Sequence, residues 1–201
     1  MPLDKFEDPF DGSLFNAEYV FNELFGGNRD IYEDIKKRRK NIAASCWYLN
    51  EKESIMMWKL YSNPYKGIAI QSRVQSFIAS FNTEDRDIYI GLIQYMEDKY
   101  PNINKYDDKS LATRKLEFYS HEKELRALII DSKNTDFSSK DTYIKVNVVM
   151  LIEKVFVSPF SEKWFVDLVK SIYFKYGYDE KNVIPSNFRK EYRKIKPLKP
   201  K

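Results

Sequence analysis

The chain has 201 residues, 43% apolar and 32% charged, with 15 Tyr, 14 Phe and 3 Trp. That balance excludes a disordered, collagen-like or low-complexity protein and supplies enough apolar material for a buried core. The net charge of +4 sits at one end: residues 188–201 hold seven Lys or Arg and one Glu, which leaves −2 on the remainder and no electrostatic case for nucleic acid outside that tail.

In chain order, Asp8-Pro9-Phe10-Asp11-Gly12 reads as a turn, followed by a helix from about Leu14 to Phe25 that stops at Gly26-Gly27. A second helix is expected from Arg29 to Lys40, and the short apolar run Ile42 to Tyr48 reads as a buried strand. Helical periodicity returns from Glu51 to Tyr61 and ends at Ser62-Asn63-Pro64. A strand at Gly67 to Gln71, a short helix from Val74 to Phe81 and a strand from Ile88 to Tyr95 follow. A polar loop is expected from Met96 to Ser110, then a helix near Leu111 to Tyr119. Glu124 to Ile130 gives the strongest strand signal in the chain. Thr142 to Val157 supplies one or two strands, Ser161 to Tyr176 an amphipathic helix with Trp164, Leu168 and Ile172 at four-residue spacing, and Val183-Ile184 a last short strand after Gly177. Strands and helices alternate without a regular βαβ rhythm. The predicted fold is therefore α+β, a single mixed β-sheet with helices packed on it, as one globular domain over 1–187 with a flexible basic tail at 188–201.

The lone Cys46 forbids an internal disulfide, and with His121 as the one histidine a Cys/His zinc site cannot be assembled within the chain, so no metal site is expected. No stretch approaches about 18 consecutive apolar residues and the opening lacks the order of a secretory signal, which predicts a soluble cytoplasmic protein without membrane contact. Neither glycine-rich phosphate cradle occurs, and no nucleophile elbow is present.

The polar residues concentrate in four places. If the strand begins by Glu122, then Glu122, Glu124 and Arg126 share one face where a buried strand emerges, with Lys115 nearby in sequence; such a row either binds a ligand or forms a structural ion pair. Ser54, Met57, Trp58 and Tyr61 follow helical spacing and, with Trp47, could line a core or a stacking wall for a nucleobase or nicotinamide ring. Phe6 to Asp11 is ordinary turn chemistry, and Ser158-Pro159 with Pro185-Ser186 reads as caps and turns.

Taken in order, the Asp8-Pro9 turn, Ser45-Cys46-Trp47, Met57-Trp58-Lys59-Leu60-Tyr61, Gly67-Ile68-Ala69-Ile70 and Glu122-x-Glu124-Leu125-Arg126 resemble a bacterial domain of unknown function grouped with abortive-infection-type proteins. That family is similar, more distantly, to ADP-ribosyltransferases, which often place Glu-x-Glu on a strand. The resemblance implies an effector of phage defence that processes NAD or another nucleotide, by ADP-ribosyl transfer or glycohydrolysis, with NAD as substrate and no required cofactor. It makes Glu124 the carboxylate that stabilises an oxocarbenium-like ribose, and Glu122 its positioning partner. Trp47, Ser54, Trp58 and Tyr61 become the substrate wall, with Lys115 and Arg126 near a diphosphate. Family members also carry an aromatic-rich opening segment ahead of the turn, which this chain is expected to lack. The alternative reading is accordingly a non-catalytic regulatory module that binds a ligand or a protein.

Overall fold

The computed structural model describes residues 1–3, 29–96, 107–131, 136–137 and 142–188. The expected turn at Asp8–Gly12, the helix Leu14–Phe25, most of the loop 96–110 and the tail beyond Phe188 lie outside the described residues. The elements are α1 (Arg29–Lys40), β1 (Ile42–Tyr48), α2 (Ile55–Tyr61), β2 (Ile68–Gln71), α3 (Val74–Ala79), β3 (Tyr89–Leu92), β4 (Gln94–Met96), α4 (Asp108–Ala112), β5 (Arg114–Leu116), a 3₁₀ helix (Glu117–Glu122), β6 (Glu124–Ile130), α5 (Val148–Leu151), β7 (Lys154–Val157), α6 (Lys163–Lys175), a second 3₁₀ helix (Glu180–Asn182) and β8 (Val183–Pro185). They fall into two units, one built from residues 1–50 and 84–145, the other from 51–83 and 146–201.

In the first unit β6 lies between β1 and β3, antiparallel to both. A strand flanked by two others and covered on both faces should read as an unbroken apolar run, and Leu125 to Ile129 are all buried, with Arg126 as the single polar insertion. On one face Leu128 packs with Ile42, Ala44, Leu3 and Ala112; on the other Ile129 packs with Ala43 and Phe137. The continuous strand expected over Ile88–Tyr95 is two strands in two sheets. Ile93 donates its N–H to the Glu124 carbonyl at 2.9 Å, but Gln94 donates to Thr113 at 2.8 Å, so the chain leaves β6 there and β4 pairs in parallel with β5. That pairing also breaks the helix expected over Leu111–Tyr119. Asp107 caps α4 by accepting the Ser110 N–H, and the helix ends at Ala112 so that Arg114–Leu116 can pair.

In the second unit β7 is central, antiparallel to β2 and parallel to β8, and Val155, Val157 and Val183 are buried under Val166 of α6. Only β7 forms within the region expected to give one or two strands from Thr142. Asn147 caps a short helix instead, its side chain accepting the Met150 N–H, and the chain takes up α5 before the sheet. Helix α6 matches its expected position and stops at Gly177, whose φ of +84° suits glycine. Its buried face is different from the expected one: Phe165, Val166, Val169 and Tyr173 pack on the sheet, while Trp164, Leu168 and Ile172 are about half exposed. The helix carries two apolar stripes, and periodicity cannot rank them.

The α+β class therefore holds, but the single sheet does not: the described strands form two three-stranded sheets and one pair. Gly67, at the entry to β2, supports a steric prediction. A Cβ there would lie 2.6 Å from the Asn63 carbonyl oxygen and 2.6 Å from Ser62 Oγ. Gly67→Ala should lower stability by about 1–3 kcal/mol, read as a lower urea midpoint at unchanged m-value; an unshifted midpoint would show that the turn at Asn63 yields.

A buried four-charge cluster as candidate functional site

Glu124 opens β6, and two residues on, Arg126 projects from the same face, as the alternation of a strand requires. Its guanidinium donates to both carboxylate oxygens of Glu124, Nε to Oε1 at 2.7 Å and Nη2 to Oε2 at 3.1 Å, while Nη1 donates to the Ala112 carbonyl at the end of α4 at 2.8 Å. Lys115, in the middle of β5, brings its ammonium to Glu122 Oε2 at 2.5 Å and to Glu124 Oε2 at 3.5 Å, beside the Tyr119 ring with 4.9 Å to the centroid. All four charged residues are buried and Arg126 has no accessible surface.

Glu122 does not belong to the strand. It closes the 3₁₀ helix, and Lys123 then takes a left-handed conformation, φ 42° and ψ 55°, before β6 begins. A non-glycine residue there costs on the order of 1–2 kcal/mol. The turn is held by the Lys123 carbonyl, which accepts the Leu49 N–H at 2.8 Å, and by the Tyr95 hydroxyl, which accepts the Glu124 N–H at 2.8 Å. The two carboxylates thus reach one ammonium from two different elements rather than from one strand face.

Burial pushes the Glu124 carboxyl upward, but hydrogen bonding and charge from Arg126, with contributions from the Cys46 thiol and Lys115, outweigh it and hold the group below the usual carboxylate range. An anion so fixed is not a general acid at neutral pH. Two acids and two bases cancel, and both Glu124 oxygens are engaged within the protein. Chemically this is an ion-pair network that ties β5, β6, the 3₁₀ helix and the end of α4 together.

Of the remaining expected site residues, Trp47 belongs to the same unit as the cluster and three belong to the second unit. Trp47 stands opposite Leu125 in the register of β1 and β6, so its ring projects from the face opposite Glu124 and Arg126; its indole N–H donates to Ser45 Oγ at 3.1 Å. Ser54, Trp58 and Tyr61 belong to the second unit. Ser54 is the N-cap of α2, accepting the Met57 N–H, not a member of a helix stripe. Trp58 is only 5% exposed and donates its indole N–H to Glu53 at 3.0 Å, which leaves no ring face for a ligand, whereas Tyr61 is exposed. Tyr95 and the Cys46 thiol join the cluster through pairing between strands, which no local spacing announces, whereas Tyr119 reaches Lys115 from the 3₁₀ helix four residues on. Ser158, expected as a cap, is one: its hydroxyl donates to the Pro64 carbonyl and accepts the Phe160 N–H.

Among the described residues no group of three or more His, Cys, Asp or Glu is placed to hold a metal ion, and no helix is long and apolar enough to cross a membrane. No family model, curated protein or solved structure matches the chain.

Removing one member of the cluster strands a buried charge. Arg126→Met or Lys115→Met should each cost about 3–5 kcal/mol in urea denaturation, whereas replacing all four residues by apolar side chains of similar volume should cost less than either single change. Acid should act on this network and on a separate pair in the same unit, Glu84 with Arg86. The Glu124 carboxyl is depressed, and that of Glu84 is held at about 2, chiefly by the hydrogen bond from Arg86. Groups depressed in the folded state stabilise it above their unfolded pKa, 4.5 for a glutamate, and lose that stabilisation as the pH falls. Stability measured against pH should stay level from neutrality to about 4.5 and then fall toward pH 2. Glu84→Gln should remove part of that slope; a profile identical to wild type would contradict the assignment.

Proposed function

We propose that the chain is a non-catalytic binding module whose second unit carries the surface that meets a partner protein. The observation behind this reading is where the exposed apolar side chains lie. Of the 22 large apolar residues exposed among the described residues, 17 belong to the second unit and five to the first. Scattered exposed apolar residues are ordinary, but a concentration of them marks an interaction surface. The mutual compensation of Glu122, Glu124, Lys115 and Arg126 supports the same reading, because a carboxylate that already holds a guanidinium has no oxygen to offer a ribose.

A second reading rests on the convergence of Glu122 and Glu124 on one ammonium. It is the NAD- or nucleotide-processing effector of phage defence, with a plan similar to ADP-ribosyltransferases, in which substrate would displace Arg126 from Glu124. The purified chain incubated with NAD, with nicotinamide release followed by proton NMR, separates the two. For a binding module, wild type and Glu124→Gln should both leave NAD intact at the uncatalysed rate. Turnover that drops on the order of 100-fold or more in a folded Glu124→Gln protein would establish the enzyme and displace the module.

A further inference from the structure

In the second unit the parallel strands β7 and β8 both end at a serine beside a proline, Ser158-Pro159 and Pro185-Ser186, and neither serine has accessible surface. The Ser158 N–H donates to the Gly67 carbonyl at 3.0 Å and the Ser186 N–H to the Val157 carbonyl at 2.9 Å. In register, the next bond of the parallel ladder would run from residue 159 to the Ser186 carbonyl, but Pro159 has no N–H and the ladder stops there. The chain turns instead. Ser161 donates its N–H to the Ser158 carbonyl at 3.1 Å, two residues before α6 begins, and is itself only 3% exposed.

Three buried hydroxyls therefore collect at one end of the sheet, and their bonding differs. That of Ser158 donates to the Pro64 carbonyl and accepts the Phe160 N–H. Those of Ser161 and Ser186 have no hydrogen-bond partner among the described residues. Both residues hang by their N–H groups on successive carbonyls, those of Ser158 and Val157, which sets them at the same place. A hydroxyl withdrawn from water without a substitute bond is costly, and two together call for a shared partner.

Size and charge select that partner. Ser186 is fully enclosed and Ser161 nearly so, which leaves no approach for an organic ligand. Glu162, the residue after Ser161, puts negative charge at the start of α6, where it opposes a phosphate or carboxylate that the helix would otherwise favour. What remains is a small neutral molecule that both donates and accepts. Two hydroxyls and the Ser186 carbonyl make three polar groups, the number that a buried water typically bonds.

We infer that the carboxyl ends of β7 and β8 hold an internal water, bound by the hydroxyls of Ser161 and Ser186 and by the Ser186 carbonyl. The water gives that carbonyl the donor that Pro159 lacks, and it joins the end of β8 to the turn that launches α6. The site is independent of whether the second unit binds a partner.

The test is oxygen-17 magnetic relaxation dispersion on the full chain, which counts water molecules held inside a protein and is blind to hydroxyl protons. The dispersion should fall by the equivalent of one water in the double variant Ser161→Ala with Ser186→Ala. It should be unchanged in Ser80→Ala, whose hydroxyl is equally buried but donates to the Phe77 carbonyl at 2.7 Å. In urea, Ser161→Ala and Ser186→Ala should each raise the unfolding equilibrium constant about fivefold, and the double variant should raise it by less than the product of the two, because one bridge is lost once. Alanine variants more stable than wild type would overturn the site by showing hydroxyls that bond nothing. Loss of stability with an unchanged dispersion would overturn it too, since the hydroxyls would then bond the protein itself, and independent single effects would rule out a shared water. If the double variant does not fold, a crystal structure of the wild-type chain decides: a water within about 3.2 Å of both Oγ atoms upholds the site, and hydroxyls turned onto protein groups overturn it.

Discussion

A guanidinium with no accessible surface must find every hydrogen-bond partner inside the protein, and Arg126 is in that position. Its five donors and fixed plane dictate what can surround it. A carboxylate must meet one edge, which is Glu124, and a carbonyl must meet another, which is the end of α4 at Ala112. The second buried cation, Lys115, in turn requires an anion, which is Glu122, and it also lies 3.5 Å from Glu124. The first unit's lesser elements, a five-residue helix, a three-residue strand and a 3₁₀ turn, are too short to be stable alone. Satisfying the buried ions gives each of them a place on β6.

The same arrangement explains which parts of the site were legible in the sequence. β6 was expected where it occurs, because a strand covered on both faces writes its burial as an apolar run. The charges at its start were recognisable as a cluster for the same reason: they interrupt such a run. Glu122 was expected on the strand because alternation is blind to one left-handed residue, and Lys123 has none of the usual markers of that conformation. Trp47 was expected in an aromatic wall facing the acids because the resemblance placed it there, and a motif says nothing of which face a side chain takes. That follows from the pairing of Trp47 with Leu125, and pairing is a property of two strands.

In the second unit the difficulty was one of choice between equals. Helix α6 offers Phe165, Val166, Val169 and Tyr173 on one side and Trp164, Leu168 and Ile172 on the other, and both sets satisfy helical spacing. Which set meets the sheet depends on where β7 and β8 lie. The side left over and the edge strand β2, with Ile68 and Ile70, supply part of the exposed apolar surface of the second unit. The α+β class was open to pattern reasoning; the division into three small sheets was not, because it turns on two successive amides, Ile93 and Gln94, choosing different carbonyls.

The two units are interleaved along the chain, since residues 51–83 of the second interrupt the first. During synthesis β1 is complete long before its partner β6 exists, and at 5–20 residues per second the roughly 80 residues between them occupy about 4–16 s on the ribosome. Strand β2 waits in the same way for β7. For those seconds the nascent chain displays Ile42 to Tyr48 and Ile68 to Gln71 without neighbours, and neither unit can close until the ribosome has passed residues that lie far downstream. A chain ordered in this way depends on delayed pairing, and so on whatever shields such segments while they wait.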